Sequence, residues 1–112
     1  MREGSGPSFS PEVITSTVWD AIKTIPGLED LYRNPLRALG ERVRMERRGP
    51  VRLVEDDAGL LLEVHIVVSA GAGIAAVSEG VARTGATYLG SAIGSPITHV
   101  EVYVDDISDD DE

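Results

Sequence analysis

At 112 residues and 42% hydrophobic content, the chain has the size of one domain with one modest core. One Trp, one Phe and three Tyr make that core aliphatic, and zero Cys excludes disulfides and thiolate metal sites. The net charge of −9 is segregated: Arg33, Arg37, Arg42, Arg44, Arg47, Arg48 and Arg52 face only Glu41 and Glu46 locally, whereas the chain end is purely acidic.

No stretch approaches the roughly eighteen apolar residues a membrane-spanning helix requires. The start, Met1 to Pro7, lacks the charged-then-apolar pattern of a secretory leader, so a cytoplasmic address is expected. Residues 1–9 are rich in Gly, Ser and Pro and are expected to be disordered. Ser10-Pro11-Glu12 then reads as a helix start: a capping hydroxyl, a Pro at the first helical position, and an acid at the positive helix end. Ile14, Val18, Ala21, Ile22 and Ile25 recur at helical spacing, and Pro26-Gly27 ends the element.

Residues 28–48 carry a weaker pattern. Asn34-Pro35 predicts a short second helix with Leu36, Leu39 and Val43 facing inward, although Gly40 weakens it. A hairpin follows, with strands at Val51–Val54 and Leu60–Ser69 joined through Glu55 to Gly59. In the longer strand Leu62, Val64, Ile66 and Val68 alternate with Glu63, His65, Val67 and Ser69, as in a sheet covered on one side. A long helix over 74–93 has the stripe Ile74, Val77, Val81, Tyr88, Leu89 and Ala92, and Gly94-Ser95-Pro96 closes it. The last strand, Ile97–Val104, turns Val100, Val102 and Val104 inward and His99, Glu101 and Tyr103 outward. Asp105, Asp106, Asp109, Asp110, Asp111 and Glu112 form an acidic tail that is expected to fray.

The order α-(α)-β-β-α-β predicts an α+β, two-layer domain over residues 10–107, with residues 108–112 as its tail. One three-stranded mixed sheet with helices on one face satisfies it, with a right-handed crossover through the long helix.

Val13-Ile14 at the helix start, Ile25-Pro26-Gly27-Leu28 at its end, the Leu62–Ser69 strand before a Gly-containing helix start, and Val100-Glu101-Val102-Tyr103-Val104 together resemble the bacterial alkaline-shock, or envelope stress response, family. The likeness covers most of residues 11–107. The Arg-rich insert at 33–50 and the small-residue-rich long helix depart from the family pattern. The resemblance implies a non-enzymatic cytoplasmic scaffold that supports the envelope under stress through a membrane-anchored partner; an open sheet face beside a small-residue helix suggests self-association, and no cofactor is expected.

Gly71-Ala72-Gly73-Ile74-Ala75-Ala76 fits the dinucleotide fingerprint between a strand and a helix. With one strand–helix–strand crossover and no acid at ribose distance, a turn letting the helix approach the sheet is the stronger reading. Glu63, His65, His99, Glu101 and Tyr103 share the open sheet face by parity, and two imidazoles with two carboxylates would suit zinc; exposed strands commonly carry such residues, and no metal is assigned. No Ser stands in a strained elbow, so no catalytic residue is assigned.

The arginines at 33–52 could meet RNA, since the element order is similar to KH-type modules. Missing stacking aromatics and the acidic balance argue against nucleic acid and favour anionic lipid or an acidic protein segment. A small RNA- or nucleotide-binding domain, using 33–52 or Gly71–Gly73, is the alternative. The segregated charge also predicts contact between the arginine block and the acidic tail, within one molecule or between two.

Overall fold

The computed structural model describes residues 9–32 and 49–109, so the short helix expected after Asn34 lies outside the described residues. Helix α1 spans Pro11–Ile22, and the Ser10 hydroxyl accepts from the Val13 N–H at 3.1 Å as an N-cap. It ends three residues before the expected Ile25, at a Lys23 cap whose N–H donates to the Trp19 carbonyl. The chain reverses through Gly27, whose φ is +90° and where a Cβ would stand 2.8 Å from Val77 Cγ2. Only glycine meets both demands there.

Strand β1, Leu28–Leu31, follows at once and was not expected. Its polar middle, Glu29-Asp30, hides the alternation because a bulge lies between Leu28 and Asp30. Strand β2 spans Val51–Asp56, β3 Gly59–Ser69 and β4 His99–Ser108, with helix α2, Ile74–Ile93, between the last two. Gly94, at φ +77°, caps α2 in the left-handed conformation and donates its N–H to the Gly90 carbonyl.

β3 is the centre of the sheet: β1 and β2 pair with it antiparallel and β4 parallel. β1 and β2 share one edge of β3, end to end. The carbonyl of His65 accepts from the Tyr32 N–H at 2.8 Å, and the N–H of His65 donates to the Pro50 carbonyl at 2.9 Å. Both groups of one strand residue point to the same edge, so Tyr32 and Pro50 together occupy the place of a single partner. Among the described residues the sheet is therefore three strands wide but contains four, against the three expected, because the outer strand is interrupted between Tyr32 and Pro50. Six of the ten basic residues, all but Arg52 of the arginine block, fall inside that interruption.

α1 and α2 pack together on one face of this sheet. Ile14, Val18, Ile22, Val77, Val81 and Leu89 meet Val51, Leu62, Val64, Ile66 and Val68 in the core, as the alternation of β3 predicts. Among the described residues no helix lies on the other face. None of the described helices is long and apolar enough to cross a membrane.

β4 corrects the expected tail. It begins two residues later than Ile97 and runs to Ser108, whose carbonyl accepts from the Ala70 N–H at 2.9 Å. Asp105 and Asp106 are thus strand residues held by β3, not tail residues. Their charge masks the strand in the sequence, and pairing with the long β3 overrides it.

Candidate functional site

The uncovered sheet face gathers the chemistry-bearing side chains of β2, β3 and β4. Register places Arg52 opposite Glu63, Glu63 opposite Glu101, and His65 opposite Tyr103. Arg52 Nη2 donates to Glu63 Oε1 at 3.2 Å, while its Nε is buried with no partner among the described residues. The His65 ring lies between two carboxylates, with Nε2 2.7 Å from Glu63 Oε2 and Nδ1 2.5 Å from Asp105 Oδ2. Its flat side stacks on Tyr103, with centroids 4.7 Å apart and planes 11° from parallel. Tyr103 Oη in turn donates to Glu101 Oε1 at 2.8 Å.

A bulge assembles this cluster. Ile66 pairs with Val104 but Val67 with Asp106, leaving Asp105 as the extra residue. The bulge frees Asp105 to reach back to His65. Each ring nitrogen of His65 thus stands within hydrogen-bond distance of a carboxylate, and Arg52 binds the other oxygen of Glu63. Burial pushes the Glu63 carboxyl up, but the His65 hydrogen bond, with the positive charges of Arg52 and His65, outweighs it and holds the group below its ordinary value. Tyr103 is shifted the other way: its bond to the Glu101 carboxylate, and that charge, push the phenol up.

The expected face residues are therefore divided. Glu63, His65 and Tyr103 form one connected network, and Glu101 joins it through Tyr103. His99 stands apart: it pairs with Leu61, and its Nδ1 lies 3.1 Å from Thr98 Oγ1. Leu61 and His65 are four positions apart on β3, about 13 Å along the strand, so the two imidazoles do not converge. Among the described residues no group of three or more acids and histidines is arranged to hold a metal ion.

Arg52 and Asp105 belong to the network although the sequence pointed elsewhere for both. Arg52 was grouped with the arginine block, yet alternation with Val51 and Leu53 is a legible signal that it faces the open side. Asp105 depends on the bulge, for which the sequence carries no comparable signal. Of the remaining block, Arg33, Arg37, Arg42, Arg44, Arg47 and Arg48 lie outside the described residues, as do Asp110, Asp111 and Glu112 in the tail.

Gly71-Ala72-Gly73 forms the turn from β3 into α2. Gly73 is the N-cap and gives no side-chain hydrogen bond. Ala72 packs against the core, which suits the close-approach role of the turn. A shallow groove lies at the other end of α2, lined by Ala86, Thr87, Gly90, Ser91, Pro96 and Ile97, with no titratable side chain.

Chemically, this face pairs its charges with one another. With both nitrogens against carboxylates, His65 has no lone pair turned to solvent. The network ties β3 to β2 and β4 and gives the face mixed charge. Comparison with known protein families, curated proteins and solved structures finds no match to this chain.

Proposed function

We propose that this chain is a non-enzymatic interaction domain of the envelope-stress type, acting in the cytoplasm at the inner face of the membrane through self-association and a membrane-linked partner. The observation that carries this reading is the one-sided sheet. Helices cover one face, while Arg52, Glu63, His65, Asp105, Tyr103 and Glu101 on the other bond to one another across three strands. Such a surface suits contact with another macromolecule better than turnover of a small substrate.

The interrupted outer strand supports the same reading. Six arginines fall in the segment between Tyr32 and Pro50, the two residues that meet at His65, and anionic headgroups or an acidic segment are their chemical complement. The acidic residues at the end of a second copy are one such segment, which would link molecules head to tail.

The test compares the intact chain with a variant in which Arg37, Arg42, Arg44 and Arg47 are replaced by Ser. The reading expects concentration-dependent association and a membrane-bound share in cell fractions, both reduced in the variant. Salt-steep binding of RNA by the wild type, with no association, would instead favour the nucleic-acid alternative.

A further inference from the structure

We infer that the outer edge of β4 is a dimer interface, at which a second copy adds its own β4 antiparallel in a register centred on Val102. The inference rests on the interaction-domain reading and names a surface for it. β4 has ten residues and pairs with β3 alone among the described residues. The Thr98 N–H donates to the Leu60 carbonyl at 2.9 Å, so the backbone groups of Thr98 point toward β3. Strand alternation turns those of Val100, Val102 and Val104 the same way, and those of His99, Glu101 and Tyr103 outward. Such a row of unpaired donors and acceptors is a template for another strand. Tyr32 and Pro50, which bound the arginine segment, pair with His65 on the opposite edge of β3.

Charge selects the register. A two-fold pairing through Glu101 sets Glu101 against its own copy, and one through Tyr103 sets Glu101 against Asp105, both like-charge contacts. Centring on Val100 sets Val102 against Thr98 and Val104 against Pro96, both before the start of β4, so that only Val100 meets a valine. Centring on Val102 instead sets Glu101 against Tyr103, His99 against Asp105, Val100 against Val104, and Val102 against itself. In this register no acid of the strand meets an acid, the outward-pointing residues fall in hydrogen-bonded pairs, and three valines meet valines. Val100, Val102 and Val104 face the helical layer yet remain partly exposed, and the second copy would cover them.

Disulfide trapping tests the register, because the wild-type chain has no cysteine. Directly opposed residues in a non-hydrogen-bonded antiparallel pair have Cα atoms about 4.5 Å apart, within disulfide reach. Val102→Cys is expected to cross-link to itself under mild oxidation. Val100→Cys and Val104→Cys are expected to stay uncross-linked alone and to form a mixed dimer when combined. Tyr103→Glu, at an exposed position, should raise the dimer dissociation constant about tenfold, and Tyr103→Lys, opposite Glu101, should lower it. A dimeric mass without the Val102→Cys bridge, or equal cross-linking at all three positions, overturns the register but leaves the interaction reading standing. A single-chain mass at every concentration overturns both.

Discussion

His65 on β3 and Asp105 on β4 are joined across the sheet through Nδ1 and Oδ2 at 2.5 Å, and the β4 bulge is what lets them meet. Together with Glu63, Asp105 gives the imidazole a carboxylate on each side. His65→Ala leaves both acids without this donor and unstacks Tyr103, at an expected cost of about 1–3 kcal/mol. Chemical denaturation at neutral pH measures it, and an unchanged midpoint would show that the cluster is a surface decoration.

The same network sets an acid limit on stability. The Glu63 carboxyl is held below its ordinary value in the folded chain, so its contribution is complete above the ordinary glutamate range, about 4.3, and is lost as pH falls through the lowered value. Melting temperatures taken from about pH 6 to about pH 3 should fall less steeply for Glu63→Gln than for the wild type. Equal slopes would place the acid sensitivity elsewhere.

The two faces of β3 respond differently to charge. Val64 is fully buried against the helices, so Val64→Asp places an unpaired carboxylate in the core and costs several kcal/mol. Val67 is on the open face between Asp30 and Asp106. Val67→Lys is expected to be neutral within about 0.5 kcal/mol, and Val67→Asp worse, because it adds a third acid to the row. Thermal melts of the three variants rank them.

Glycines in α2 separate by what lies beside them. A Cβ at Gly85 would meet Val18, Ile22 and Leu62 at 3.6–3.7 Å, an ordinary contact, and at Gly80 only Ile25 at 3.6 Å. Ala at either site should stabilise by up to about 1 kcal/mol through helix propensity. At Gly90 the Cβ would stand 3.0 Å from the Ser95 carbonyl oxygen in the closing turn, so Gly90→Ala should be unfavourable. Denaturation midpoints that move the same way at Gly85 and Gly90 would contradict this packing.

The interrupted edge strand predicts that residues 33–48 are dispensable for folding. Replacing them with a short Gly-Ser linker should leave the melting transition cooperative and the β3 amides protected from exchange, since Tyr32 and Pro50 already meet at His65. Loss of cooperative unfolding would mean that the excursion contributes to the core.

Much of this architecture was legible from periodicity. Leu62, Val64, Ile66 and Val68 alternate because β3 is buried on one face, and the stripe of α2 with its Gly94 cap reads directly as a helix. β1 was not legible: Leu28-Glu29-Asp30-Leu31 has no alternation, and its bulge and its pairing partner, forty residues away at Ser69 and its neighbours, exist only in three dimensions. Asp105 and Asp106 read as tail for the same reason. Of the site, parity brought Glu63, His65, Glu101 and Tyr103 to one face. Which of them touch depends on the parallel register of β3 and β4 and on the bulge at Asp105, and parity states neither.

Self-association is the claim on which the functional reading stands, and sedimentation equilibrium of the intact chain tests it most directly. At high salt, where arginine–acid contacts are screened, the edge-paired dimer should persist and dissociate only on dilution; at low salt larger species should add to it. Deleting residues 110–112 should reduce the larger species and spare the dimer. A single-chain mass at all concentrations and salts would contradict it.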